Sequence, residues 1–409
     1  MPHLLLLGLM LAAGQLAGQF AARVGLPKIV GYLIAGIVLS PETTPIVPRS
    51  FVTDTTLAMD IALAFITFEI GATLRLAKLR QLGRSILWLT AMEAELAFLV
   101  VTAGVVVLAS FHGSAFGVAD GEHALVFALI LGALASATDP AATLAVSRQY
   151  RASGPVTDTV LSVAALDDVA GILNFALAMA IGRALLGDGP MSASQIVAPA
   201  LEIPGCMAIG AGGGLALAAA VSFVMRDRDS EGGLIVIVLA VVGSVYGVLQ
   251  WLEWDALLGT MTMGCVTANT SKRQQEVFAL LARYTDELIF VLFFTASGMH
   301  LSLSTLAGSL GVVTVFVLLR TVGKLVGARA GGRLGHAAPS VRRHAGFALL
   351  PQGGVVIGLA LTTSREPVLQ PMAPALLGII IGSTVIHELG GPLFARFALR
   401  RAGEIPPAP

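Results

Sequence analysis

Residues 155–182, PVTDTVLSVAALDDVAGILNFALAMAIG, are long and apolar enough to cross a bilayer as one helix, yet Asp167 and Asp168 stand side by side near their centre. A charge at that depth costs about 2.5–3.5 kcal/mol on insertion scales, so it is rare without a partner or a task. Two adjacent carboxylates repel each other and do not both stay ionised without a cation nearby. The pair therefore asks for a counter-ion, a proton, or each in turn. Successive residues on a helix point about 100° apart, so Asp167 and Asp168 cannot both face one partner. One can hold a cationic side chain while the other faces a cavity.

The surrounding chain is of the same kind. Its 409 residues are 56% hydrophobic and only 12% charged, with a mean hydropathy of +0.85. Soluble domains carry about twice that share of charge. The pattern predicts an all-α integral membrane protein with about thirteen transmembrane helices, at 3–24, 27–40, 54–76, 86–111, 123–146, 155–182, 196–225, 232–251, 256–268, 276–300, 305–328, 344–363 and 372–397. The first segment lacks a basic flank and a small-residue cleavage site, and is expected to be a retained helix. A net charge of zero gives no footprint for nucleic acid or an acidic partner. Cys206 and Cys265 lie in separate apolar segments and read as packing residues. No Walker loop, Rossmann glycine pattern, zinc motif or nucleophile elbow occurs, so the chain does not read as a pump or an enzyme, and no cofactor is expected.

Basic residues set the orientation. With the N-terminus outside, the inner loops hold 19 of the 25 basic residues: Arg23, Lys28, Arg75, Lys78, Arg80, Arg84, Arg148, Arg151, Arg226, Arg228, Lys272, Arg273, Arg329, Arg333, Arg342, Arg343, Arg396, Arg400 and Arg401. The outer loops hold Arg49, Arg183 and Arg365, while Arg283, Arg320 and Lys324 fall inside spans. A multi-pass protein with a cytoplasmic C-terminus is expected, in a bacterial inner (plasma) membrane.

Two spans carry interruptions. The fifth has Ser136-Ala137-Thr138-Asp139-Pro140 and the twelfth has Pro351-Gln352-Gly353-Gly354. Proline removes a backbone donor and clashes with the preceding turn, so both helices are expected to break there. They lie seven spans apart, hence in opposite orientations. Two inverted six-helix repeats joined by the seventh span would place them at corresponding positions. Unwound segments leave carbonyl oxygens free to coordinate a cation beside a carboxylate, and Thr138 and Asp139 can add oxygens or neutralise positive helix ends.

Lys324 shares mid-membrane depth with Asp139 and the aspartate pair. Lysine releases its proton readily when desolvated, whereas arginine does not. Glu69, Glu93 and Glu95 are accessory candidates, and Arg320, one turn before Lys324, is read as pairing with one of them. Arg283 with Asp286 and Glu287 reads as a helix-surface pair or a cavity lining. Asp60 and Asn174 stay unassigned, and His387 and Glu388 read as packed or interfacial.

The sequence resembles the monovalent cation/proton antiporters, in particular the second cation/proton antiporter group with its electrogenic, double-aspartate sodium/proton exchangers. The resemblance is carried by Val24-Gly25-Leu26-Pro27-Lys28-Ile29-Val30-Gly31-Tyr32-Leu33-Ile34-Ala35-Gly36, Thr138-Asp139-Pro140, Asp167-Asp168, Phe293-Phe294 through Gly298, and Gly323-Lys324. It implies a homodimer with an interface domain (1–76 and 232–300), a moving core domain (86–182 and 305–397) and a linker helix (196–225). It makes Asp168 the cation- and proton-binding carboxylate, with Thr138 as a second ligand of a monovalent cation, and Asp167 the partner of Lys324. Gln352 sits where many relatives place a charge, which bears on gating. The expected activity is exchange of Na+, and also Li+, for H+ across the bilayer. A K+/H+ exchanger uses the same parts, and a passive channel or a non-transporting sensor on the same fold stays open at this point.

Overall fold

Alanine, leucine, valine and glycine dominate the apolar segments, and with backbone groups that must be satisfied internally such segments become helices. The computed structural model describes residues 2–44, 47–74, 76–112, 121–186, 193–224, 231–252, 254–271, 273–301, 303–363, 366 and 368–406. Among these residues every regular element is helical. In chain order they are α1 (His3–Arg23), α2 (Lys28–Leu39), α3 (Arg49–Asp54), α4 (Thr56–Thr73), α5 (Leu76–His112), α6 (Gly121–Ser136), α7 (Pro140–Gln149), α8 (Pro155–Leu186), α9 (Ala193–Val224), α10 (Glu231–Trp251), α11 (Ala256–Thr270), α12 (Gln274–Tyr284), α13 (Asp286–His300), α14 (Leu303–Leu334), α15 (Pro339–Ala348), α16 (Gly354–Thr363) and α17 (Ala373–Arg401), with a 3-10 turn at Gln370–Met372. Nine helical stretches among the described residues are long and apolar enough to cross a membrane, and Lys28–Leu39 and Glu287–His300 are shorter apolar helices. The chain is thus an all-α, multi-pass membrane protein. Arg75, Arg226, Arg228, Lys272 and Arg365, used above for orientation, lie outside the described residues.

The chain forms two compact units. One comprises Met1–Gly83 and Ala200–His300. Within it α4 and α11 cross closely: a Cβ on Gly71 would lie 1.8 Å from the Met261 carbonyl oxygen, and one on Gly264 would lie 1.8 Å from that of Phe68. The Thr67 and Thr260 hydroxyls meet at 2.6 Å on the same seam. Small residues that let backbones touch are the usual adhesive between helices in lipid.

One expectation fails in this unit. The segment read as a single span at 276–300 divides at Thr285 into α12 and α13. Arg283 therefore does not pair with Glu287. Its guanidinium lies 5.1 Å from the Tyr284 ring centre, and Glu287 accepts instead from Lys28 at 2.5 Å and Gln15 at 3.1 Å. The Asp286 side chain lies outside the described residues.

The second unit comprises Arg84–Pro199 and Leu301–Pro409. Its apolar core gathers Val101 and Val105 of α5, Val126, Phe127 and Leu131 of α6, Phe175 and Met179 of α8, Phe316 of α14, and Leu376 and Ile380 of α17. α14 is built inside out relative to a soluble helix. Leu318, Val322 and Val326 are about half exposed, while Arg320 and Lys324 on another face are fully buried. A helix in lipid turns its apolar face outward and its charges inward. Gly323, Gly327, Gly331 and Gly335 recur every fourth residue, and Cβ atoms there would lie 2.6 Å from the Cα atoms of Ala97, Glu93, Leu89 and Ser85. α5 and α14 therefore run antiparallel in backbone contact.

Candidate functional site

The site is assembled in the second unit from two interrupted helices. α6 ends at Ser136, and α7 begins at Pro140, whose missing N–H costs nothing in the first turn. Asp139 caps α7, its carboxylate accepting from the Ala141 N–H at 2.9 Å. α15 ends at Ala348 and α16 starts at Gly354. The two breaks run past each other in opposite directions. Gln352 Nε2 donates to the Leu134 carbonyl at 3.0 Å, the Asp139 N–H to that of Pro351 at 3.0 Å, and the Thr143 hydroxyl to that of Ala348 at 2.9 Å. A side chain at Gly353 would displace the capping aspartate, because a Cβ there would sit 2.9 Å from the Asp139 carboxyl carbon.

Two buried cations hold the crossing. Arg320 donates to the carbonyls of Ala135 (3.1 Å), Ala137 (2.8 Å), Leu350 (2.7 Å) and Pro351 (3.4 Å), and so ties both breaks together. It serves helix ends, not the glutamate pairing read from its spacing. A planar fork with five donors suits that task, since the final carbonyls of a helix have no intrahelical partner. Lys324, one turn on, donates to the Ser136 carbonyl at 2.5 Å and to the Thr138 hydroxyl at 2.7 Å. Its ammonium also lies 3.3 Å from Asp167 Oδ2 and 2.5 Å from Glu93 Oε1. Asp167 Oδ2 further accepts from the Thr138 hydroxyl at 2.5 Å.

The structure thus brings Asp167, Lys324, Thr138, Asp139, Pro140, Arg320 and Gln352 to one crossing. Asp168 follows Asp167 on α8, a step of about 100°, and is 7% exposed where Asp167 is completely enclosed. Glu69, another accessory candidate, is on α4 of the other unit. Glu93 is the residue that sequence reasoning undervalued. The four-residue glycine repeat in α14 was its available signal, because it lays α5 against α14 with Glu93 opposite Gly327, three residues past Lys324.

The arrangement concentrates four carboxyl groups, Glu93, Asp139, Asp167 and Asp168, around two cationic side chains, Arg320 and Lys324, all buried. Asp139 sits at a positive helix end, which offsets its charge. An excess of acid in so enclosed a place attracts a cation or protons, and the broken helices supply neutral oxygens beside it.

Comparison with known proteins agrees with this chemistry. The family described as sodium/hydrogen exchanger, transmembrane, matches residues 8–396. The high-affinity Na(+)/H(+) antiporter NhaS3 of Synechocystis is 22% identical over 411 aligned positions, covering 90% of this chain and 84% of that protein. The Na(+)/H(+) antiporter NhaS4 of the same organism is 24% identical over 307 positions, covering 71% of this chain and 72% of that protein. In fold, the chain is similar to the sodium proton antiporter MjNhaP1 of Methanocaldococcus jannaschii at pH 8, with a TM-score of 0.72, 18% identity and 98% of both chains covered. The match along nearly the whole length means that this chain belongs to the transmembrane sodium/hydrogen exchanger family of monovalent cation/proton antiporters.

Proposed function

We propose that the protein is a secondary active antiporter that exchanges Na+, and also Li+, for protons by alternating access, and that it does so electrogenically. The observation that carries this reading is the enclosed Lys324, held by Asp167 and Thr138 at the crossing of two interrupted helices, with Asp168 next along α8. A cation arriving at Asp168, with Thr138 and unwound carbonyls as further oxygens, displaces the Asp168 proton. After the site opens to the opposite side, a proton displaces the cation. One carboxylate cannot hold both at once, and that exclusion couples the two flows. Where the same event parts Asp167 from Lys324 and the ammonium gives up a proton, two protons move against one cation and charge crosses the membrane. This is the double-aspartate form of the family, and the adjacent Asp167 and Asp168 support it.

The long helices, together with α2, α11, α13 and the broken α15–α16 pair, support a count of thirteen spans, and the opposed breaks support an inverted repeat. All the residues named in the mechanism belong to one unit, which we read as the moving core. The other unit then serves as the interface of a homodimer, with α9 as the link. The positive-inside bias supports an outer N-terminus and a cytoplasmic C-terminus in a bacterial inner membrane.

The test uses purified protein in liposomes with an internal pH dye, challenged in turn with Li+, Na+, K+ and Rb+. Sodium and lithium are expected to move protons. Asp168→Asn is expected to abolish that response while the purified protein stays monodisperse and folded. Exchange at the parent rate by this variant would remove Asp168 from the mechanism.

A further inference from the structure

We propose that Glu95, Asn174 and Ser136 form a second site for a monovalent cation, a staging position whose Asn174 lies about 10 Å along α8 from Asp167. The proposal rests on the exchange reading above and deepens it. Three helices contribute: α5 brings Glu95, α6 ends in Ser136, and α8 brings Asn174. Asn174 Nδ2 donates to Glu95 Oε1 and to Ser136 Oγ, both at 3.2 Å, and the Ser136 hydroxyl donates to the Ala94 carbonyl at 3.3 Å. All three contacts sit at the long end of hydrogen-bond range, so the group is gathered without being tightly closed. Ser136 and Asn174 are buried, whereas Glu95 is half-buried.

Charge makes the cluster a site and not merely a polar seam. Glu93, two residues earlier, holds Lys324. Glu95 points to a different side of α5, and among the described residues no basic side chain pairs with it. A carboxylate on an apolar helix whose hydrogen-bond partner is a neutral amide still needs a positive charge or a proton. The remaining atoms are hard oxygen donors of the type that such cations take: a carboxylate, a hydroxyl, a main-chain carbonyl and an amide oxygen. An asparagine amide has nearly the same shape either way round, so a half turn of Asn174 replaces its donor NH2 by an acceptor oxygen without moving its neighbours.

Register supplies the link to the exchange site. Asn174 follows Asp167 by seven residues, close to two full turns, so both lie on one face of α8. A cation held at Glu95 and Asn174 is two turns along that face from Asp167, whose chain neighbour Asp168 binds the exchanged ion. The half-buried carboxylate raises the local cation concentration, and the amide passes the ion on to the enclosed acids.

Equilibrium binding of radioactive Na+ to detergent-purified protein separates this idea from the exchange mechanism. Asp168→Asn is expected to retain a weak saturable sodium site, and the double variant Asp168→Asn/Glu95→Gln to lose it. In liposomes Glu95→Gln is expected to raise the half-saturating sodium concentration about tenfold, the scale of one lost charged ligand, with Glu95→Asp restoring most of it. Asn174→Leu, which keeps the volume and removes the oxygen, should raise it similarly should Glu95→Gln fold poorly. No saturable sodium binding by Asp168→Asn, or unchanged sodium dependence in both Glu95→Gln and Asn174→Leu, would overturn the second site. A wild type that binds sodium in this way yet exchanges nothing would sink the antiport reading alone.

Discussion

Arg320 and Lys324 stand one turn apart on α14, both fully enclosed, and they are not interchangeable. The arginine spends its donors on four main-chain carbonyls from the two breaks, a task for a flat group that never loses its charge. The lysine faces two acids and a hydroxyl, where a compact group that can release a proton is useful. Arg320→Lys is therefore expected to keep the charge and still lose about 1–3 kcal/mol, because an ammonium cannot reach both breaks and leaves buried carbonyls without donors. Thermal unfolding in detergent reads this as a clear fall in melting temperature, and an unchanged value would mean that the carbonyls find other donors. Glu93→Gln should also destabilise, since Lys324 then keeps Asp167 as its one charged acceptor. Glu93→Gln combined with Lys324→Gln should cost less than the two single losses added together, the signature of a direct pair. Additive losses would show that the 2.5 Å contact carries little energy.

Between elements, the decisive feature is the seam of α5 and α14. A Cβ on Gly327 would lie 2.4 Å from the Met92 carbonyl oxygen and 2.6 Å from the Glu93 Cα, both backbone atoms that cannot swing aside. Gly327→Ala is expected to cost about 1–3 kcal/mol through overpacking and to push Glu93 away from Lys324. Gly243→Ala on α10, where nothing lies within 4 Å, should leave the melting temperature unchanged or raised, since alanine is the better helix former. Equal effects at the two positions would remove the close seam from the account. The same seam marks where sequence reading stopped short. Pro140 and the Pro351–Gly354 run announce their breaks, because proline and glycine have local consequences that need no partner. The adjacent aspartates and Lys324 were legible because charge in an apolar helix is conspicuous. Glu93 and Glu95, two residues apart, were not separable: which one meets Lys324 depends on how α5 is turned, and the glycine seam decides that. Arg320 eluded the reading for another reason, since main-chain carbonyls carry no mark in the sequence. At Thr285 neither proline nor glycine announces the break, so helical spacing was carried across it and joined Arg283 to Glu287, which bonds Lys28 and Gln15 instead.

On the scale of the chain as a whole, the C-terminal end is stitched back to the helix that bears the aspartates. Glu404, just past α17, is buried, and its carboxylate accepts from the Val156 N–H at 2.6 Å, the Thr157 N–H at 2.7 Å and the Thr157 hydroxyl at 2.7 Å. The Ser153 N–H donates to its main-chain carbonyl at 3.1 Å. The Val156 and Thr157 N–H groups are first-turn amides of α8, which have no intrahelical acceptor, and a carboxylate placed on them also complements the positive end of the helix. A cap is ordinarily supplied by a residue just before its helix; here one from the far end of the chain does the work, so α17 and α8 are held in fixed relation. Glu404→Gln keeps the size, removes the charge and puts a donor against donors. It is expected to lower stability by about 1–2 kcal/mol, the upper range for losing a helix cap. Because the carboxylate is buried, that loss should persist at high salt, where an exposed charge pair would be screened. Melting temperatures of Glu404→Gln and the parent at low and high salt test both points. A difference that vanishes with salt would make the contact a surface attraction, and no difference at all would mean that α8 holds its register without the tail.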